Sequence, residues 1–380
     1  MKMDKIQKAK EHFAALVEAQ LARVERMKQD TGAIDYHQMD KIIIGCCGGD
    51  GIGPAITAEA ERVLRAVLKE EIEKGKIEFR QIEGLTIENR IEAGKAIPDD
   101  VLEALKACDI ILKGPTTTPS KGDGPNIESA NVAMRRELDL FANVRPVAVP
   151  ELGIDWTFFR ENTEGEYALG SKGIVIDEDM SFDFKVTTTQ GTERIARQAF
   201  EFARKNGKKH VAIITKANIL KKTDGKFLEL CYHVAKDYPE IQVDDWFVDI
   251  ISANLINEKV RTGFEVFVLP NLYGDIITDE AAQIQGGVGT AGSANIGNKY
   301  AMFEAIHGSA PRMLETGRQM YANPASMIKA AELLLRHIGY VKEADNVLTA
   351  LKIANDTIKM TGRSDGATGE EFANCVIANL

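Results

Sequence analysis

From Lys41 onward the chain alternates between short apolar runs and amphipathic stretches, and that alternation leaves few architectures open to it. KIIIGCC (41–47) has the length and composition of a buried strand, GGDGIGP (48–54) of a turn, ITAEAERVLRAVLKEEI (56–72) of a helix, and KIEFRQI (76–82) of a strand again. Apolar runs recur at ACDIILKGP (107–115), HVAIITK (210–216) and FEVFVLP (264–270), separated by helical patterns such as GTERIARQAFEFARKNG (191–207) and GKFLELCYHVAKDYP (225–239). Three further helical patterns, SMIKAAELLLRHIGY, VKEADNVLTALKIANDTI and GEEFANCVIANL, close the chain. The pattern predicts an α/β protein. At 380 residues, 44% of them hydrophobic, it has material for two domains or one large one.

Glycines directly after an apolar strand invite comparison with the dinucleotide-binding fingerprint. That fingerprint requires G-x-G-x-x-G and an acid at the end of the next strand, about 20 residues on. Here the third glycine, Gly53, follows Gly51 by two residues, and Glu70 and Glu71 lie within a helical pattern. The Rossmann fold is therefore rejected.

Charge points to a ligand. The net charge of -10 repels anions at long range, yet residues 129–160, SANVAMRRELDLFANVRPVAVPELGIDWTFFR, space Arg135, Arg145 and Arg160 among Leu, Phe and Val. Guanidiniums in that setting suit a recessed pocket for a multiply charged carboxylate. The plainer alternative is local pairing with Glu137 and Asp139. Downstream, PNLYGDIITDEAAQ puts Asp275 and Asp279 four residues apart, one above the other on a helix, where two carboxylates repel unless a cation joins them. Hard oxygen ligands suit Mg²⁺ or Mn²⁺, and apolar Leu272, Ile276 and Ile277 around them predict an enclosed rather than a solvated face.

Seven motifs together carry a resemblance: GGDGIGP, SANVAMR (129–135), FANVRPV (141–147), FRENTEGEY (159–167), TKANILK (215–221), PNLYGDIITDE (270–280) and FEAIHGSAP (303–311). They resemble the isocitrate and isopropylmalate dehydrogenases, a family of metal-dependent decarboxylating dehydrogenases, from about residue 41 to the end. The resemblance implies an α/β fold of that family's own kind, with two discontinuous domains and the active site in the cleft between them. Carried onto this chain, it implies a large domain of 41–140 and 286–380 and a small one of 141–285 with dimer contacts, after an N-terminal helical extension of 1–40.

The resemblance also implies roles. Ser129, Asn131, Arg135, Arg145 and Arg160 would hold the substrate carboxylates. Asp275 and Asp279, with Asp249 from a partner subunit, would hold Mg²⁺ or Mn²⁺; Lys216, also from the partner, would assist proton removal from the hydroxyl, and Tyr167 would reprotonate the enol carbon. Thr117, Asn218, Glu304, His307, Gly308, Ser309, Ala310, Arg312 and Asn323 would bind the cofactor, NADP or NAD. NAD-using members commonly place Asp after the HGSAP-like turn, and many NADP-using ones Lys then Tyr. Arg312 and Met313 stand there in this chain, and an arginine able to pair with a 2′-phosphate tilts the reading towards NADP, with Arg318 or Arg363 as further candidates. Isocitrate is the expected substrate, because Ser129 and Asn131 offer hydrogen bonds where the isopropylmalate branch is apolar. Homoisocitrate, one methylene longer, stays open, since a methylene is worth only about 1–3 kcal/mol, and isopropylmalate is the other alternative within the family. A noncatalytic regulatory subunit is the alternative of a different class, and the retained site residues argue against it.

Shared residues make a homodimer the expected active unit. No stretch approaches the apolar length of a membrane span, and the acidic balance argues against nucleic acid. Five cysteines without C-x-x-C spacing fit a reduced cytoplasm. In the first forty residues Phe13, Leu16, Val17, Leu21, Val24 and Met27 recur at helical steps, predicting an amphipathic docking helix. Asp4, Glu11, Glu18, Glu25 and Asp30 make a poor mitochondrial leader.

Overall fold

The computed structural model describes residues 2–29, 32–118, 127–170, 172–287 and 291–380. The chain divides into two compact units, one of Ala33–Ala148 with Ala281–Leu380, the other of Met1–Gly32 with Val149–Glu280.

In the first unit the sheet runs Ile77–Gln81, Ile42–Cys47, Ile110–Lys113, Ala301–Ala305, Gly292–Ile296, Ala142–Val149. The first four strands are parallel and the last two join antiparallel. Strand alternation sends side chains to opposite faces. Ile42, Ile44, Ile110, Leu112, Ala301 and Phe303 pack into one cluster with helices Gly53–Val67, Ala325–His337, Val341–Thr357 and Gly369–Ala378. Cys47, Ile111 and Met302 pack into another with helices Asp99–Lys106 and Ala130–Glu137. The long helical pattern after the glycine turn is broken at Leu68 into Gly53–Val67 and Lys69–Glu73.

The imidazole of His337 is packed among rings, 5.2 Å from Tyr36 and 5.5 Å from Phe303 between centroids. Burial lowers its pKa to about 4. A histidine that is neutral in the fold and protonates once unfolded contributes stability above its unfolded value near 6.5 and loses it as pH falls to the folded value. Between pH 7 and 4 this group should account for on the order of 3 kcal/mol of lost stability. Urea unfolding of the wild type and His337→Leu at both pH values checks it, the variant being expected to lose that much less.

In the second unit strands Ile154–Glu161, Val266–Leu269, His210–Thr215 and Gln242–Phe247 are parallel, in that order. Helices Thr189–Lys205 and Thr223–Ala235 cover them, and Phe158 stacks on Phe267 at 4.4 Å with Trp156 edge-on to both. A hairpin, Ile174–Asp177 and Met180–Phe182, forms a separate antiparallel pair. The N-terminal helix, Lys2–Lys28, packs on its own chain through Phe13 against Phe184 at 5.3 Å, Lys5 to Asp177 at 3.2 Å and Arg23 to Glu164 at 3.0 Å.

Candidate active site

Two glycines set the local backbone. Gly51, at a φ of +60°, sits where a Cβ would lie 2.0 Å from the Ser309 carbonyl, so the GGDGIGP and HGSAP turns touch backbone to backbone. That contact is clamped by Ile52 N–H donating to the Ser309 carbonyl at 2.9 Å and by Asp50, buried, accepting from the N–H groups of Thr117 and Ile87, each at 2.7 Å. The hydroxyls of Thr117 and Ser309 lie 2.8 Å apart. Ala310 takes a left-handed conformation at φ 45° and opens helix Pro311–Glu315. His307 and Gly308 precede it on the same turn, and Arg312 is exposed. Asn323 accepts from Ala325 N–H at 2.9 Å. Eight of the nine expected cofactor residues thus belong to this unit, and Asn218 is an exposed residue of the other.

Glu304 is placed differently from an open cofactor contact. It is buried, accepting from Lys113 at 2.9 Å, from Asn295 at 2.8 Å and from Arg135 at 3.5 Å. Burial alone would raise this carboxyl, but Lys113 and Arg135 beside it outweigh burial and hold it at about 2. Asn143 extends the network, donating to Asn295 at 3.0 Å and to Ser293 at 2.7 Å.

Ser129 stands at the N-cap of helix Ala130–Glu137 with no capping bond from its hydroxyl, and Asn131 accepts from Thr116 at 3.0 Å. The neighbouring Arg136 pairs with Glu128 and Glu137, while Arg135 turns inward to Glu304 and its Nε finds no hydrogen-bond partner among the described residues. Arg135, Arg145 and Arg160 are 9%, 6% and 1% exposed, which is rare for arginine and calls for an anion or a buried carboxylate beside each.

In the other unit Arg160 ends strand Ile154–Glu161 and lies against helix Asn271–Ile284 at Gly274, where a Cβ would come within 2.5 Å of its Cγ. It donates to Asn271 at 3.0 and 2.7 Å and to Asp275, and its guanidinium lies 5.2 Å from the Tyr167 ring centre. The Tyr167 hydroxyl donates to the same Asp275 at 2.6 Å. Asp279, one turn on, is exposed. Within one chain the face expected to be enclosed is mixed: Ile277 is buried and Asp275 half-buried, whereas Ile276 is 56% exposed and Asp279 is exposed beside it.

Lys216 follows strand His210–Thr215 and donates to Asp249 at 2.5 Å, a bond that holds Asp249 below the usual carboxylate range. Its backbone is fixed by fully buried Asp224, which accepts from Lys216 N–H at 2.7 Å and pairs with Lys185 at 2.5 Å. No group of three or more His, Cys, Asp or Glu is assembled for a metal among the described residues. Asp50, Lys113, Asn271 and Asp224 were missed in the sequence; the first three sit inside quoted segments, so only their inward orientation was hidden.

A family model described as isocitrate/isopropylmalate dehydrogenase matches residues 43–375, and the chain belongs to that family. It is 38% identical over 353 residues to the 3-isopropylmalate dehydrogenase of Archaeoglobus fulgidus, covering 90% of this chain and 100% of that protein. It is 37% identical to the homoisocitrate dehydrogenase of Methanocaldococcus jannaschii, covering 87% of this chain and 97% of that one. The crystal structure of isocitrate dehydrogenase from Methylococcus capsulatus superposes with a TM-score of 0.76 at 34% identity, over 89% of this chain and 99% of that one.

Proposed function

We propose that this dehydrogenase oxidises isocitrate and releases 2-oxoglutarate and carbon dioxide, reducing NADP or NAD, with NADP ahead because Arg312 is exposed where a 2′-phosphate would need a cation. The observation that carries the substrate is the start of helix Ala130–Glu137: an uncapping Ser129 hydroxyl and Asn131 on the helix that bears Arg135. These groups hydrogen-bond a third carboxylate, whereas an isopropyl group would leave them unpaired at a cost of about 1–3 kcal/mol.

Ser129, Asn131, Arg135, Arg145 and Arg160 hold the substrate's carboxylates in this reading. Asp275 and Asp279 present two hard, accessible carboxylates one helical turn apart, a donor set that fits Mg²⁺ or Mn²⁺ with substrate and water oxygens completing it. Such an ion would supply Lewis-acid stabilisation of negative charge on the substrate oxygens. Lys216 would assist removal of the hydroxyl proton, a bound nicotinamide nucleotide would supply the hydride acceptor, and Tyr167, oriented by Asp275, would return a proton to the enol carbon left by decarboxylation. Asp249 and Lys216 act across a homodimer. Exposed apolar Ile219, Ile250 and Ile276, at 66%, 45% and 56%, flank the functional side chains and fit a surface covered by a second copy.

Initial rates with isocitrate, homoisocitrate and isopropylmalate, each with NADP and NAD, before and after chelation, test the reading. Isocitrate is expected to show the highest kcat/KM, with loss of turnover on chelation and recovery on adding Mg²⁺ or Mn²⁺. A higher kcat/KM for another acid moves the specificity, and turnover indifferent to chelation overturns the metal.

A further inference from the structure

Two carboxylates lie buried between Arg160 and Tyr167. Glu161 is 2% exposed and Glu164 3%, and they belong to one turn: Glu161 accepts from Thr163 N–H at 3.0 Å, from the Thr163 hydroxyl at 2.6 Å and from Glu164 N–H at 2.5 Å. Buried like charges hold a turn only if cations neutralise them. One cation comes from far away in sequence. Arg23, on the N-terminal helix, donates to the Glu164 carboxylate at 3.0 Å and to the Thr163 hydroxyl at 3.0 Å, and its side chain is only 15% exposed. Arg194 donates to the same hydroxyl at 3.0 Å.

The turn is linked onward to the substrate side chains. The Glu164 carboxylate also accepts from Thr188, N–H at 2.8 Å and hydroxyl at 2.5 Å. The Glu164 carbonyl accepts from Asn271 Nδ2 at 2.9 Å, and Asn271 Oδ1 in turn accepts from Nε and Nη2 of Arg160. Asn271 is 1% exposed, so water does not replace the bonds it makes to Glu164 and Arg160. The family match begins at residue 43, which leaves Arg23 outside it.

We propose that Arg23 is a positioning residue: through Glu164 and Asn271 it sets the turn that holds Arg160 and Tyr167, making the N-terminal helix a working part of the substrate site. The inference rests on the reading of Arg160 and Tyr167 as substrate-facing groups. The state of Glu161 agrees with it. Burial first, then the Glu164 carboxylate, raises the Glu161 carboxyl, and Arg194, the Thr163 hydrogen bond and Arg23 pull it back.

The test uses the full-length protein with Arg23→Ala and Arg23→Lys. Arg23→Ala is expected to raise KM for isocitrate about tenfold while KM for the nucleotide stays unchanged, since the bonds it breaks end at Arg160. Arg23→Lys keeps the charge but not the two-pronged grip, and should recover part of that loss. Hydrogen exchange over residues 161–167 and 271–275, measured without substrate, should quicken in Arg23→Ala and less so in Arg23→Lys. A lower melting temperature with unaltered KM and unaltered exchange there would reduce Arg23 to a structural contact and overturn the proposal. If isocitrate is not the substrate, the exchange measurement decides alone: unchanged protection defeats the positioning role, and faster exchange upholds it. Should Arg23→Ala fail to fold, Arg23→Lys carries the same comparison, and wild-type KM and exchange in it would overturn the proposal.

Discussion

Lys216→Met should lower kcat by about 10³-fold, within the range that a positioned general base contributes, and leave the fold intact. The side chain is about a quarter exposed, donates to Asp249 and lies 5.7 Å from the Phe247 ring centre, so its removal opens no core. Tyr167→Phe should be similarly impaired, because the hydroxyl that Asp275 orients is the proposed proton donor. Mixing the two inactive variants and letting subunits exchange is the sharper measurement. If Lys216 serves the neighbour's site, half of the dimers become heterodimers with one intact site each, and activity should return to about a quarter of wild type. No recovery after proven exchange would place Lys216 and Tyr167 in sites built from one chain.

Glu304→Gln should destabilise the protein by about 3–5 kcal/mol, the usual result of removing one member from a buried charge network. The mutation leaves Lys113, fully buried, and Arg135 without their common carboxylate. A neutral amide still accepts one hydrogen bond, so the cost is electrostatic and not one of volume. Urea unfolding reads the loss directly. Near neutral pH the variant should also bind the substrate more weakly, because Arg135 then lacks the contact that orients it. The depressed Glu304 carboxyl gives the sign of the pH dependence: its stabilisation is complete above the ordinary carboxylate range and fades as pH falls towards about 2. Glu304→Gln should therefore differ most from wild type at neutral pH and least in strong acid.

Much of this site was legible before any coordinates, and what was not follows a pattern. Arg135, Arg145, Arg160 and Asp275 stood out as candidates by residue type and spacing, and Lys216 by the resemblance of its motif alone. Glu304 is in such a motif as well, but its side chain turns inward to Lys113, a partner 191 residues away. The contrast between Arg135 and Arg136 is instructive. Adjacent arginines look alike in sequence, yet one helix face sends the first into a buried network and the other leaves the second half-exposed among Glu128 and Glu137. The apolar neighbours of Asp275 divide for a related reason: Ile277 turns into the core while Ile276 is exposed, and residue type alone does not say which side of the helix each takes.

By itself, then, the amino-acid sequence determined the α/β class, five of the strands, the main helices, the amphipathic N-terminal helix and the residue types of the candidate site, because these depend on periodicity and local turns. Only the tertiary structure decided which charges meet. Arg23 reaches Glu164 across 141 positions, and Asn271 joins that turn to Arg160 across 111. Pairings at such distances depend on how helices and strands pack, and the energy of a buried charge depends on which partner the packing brings to it.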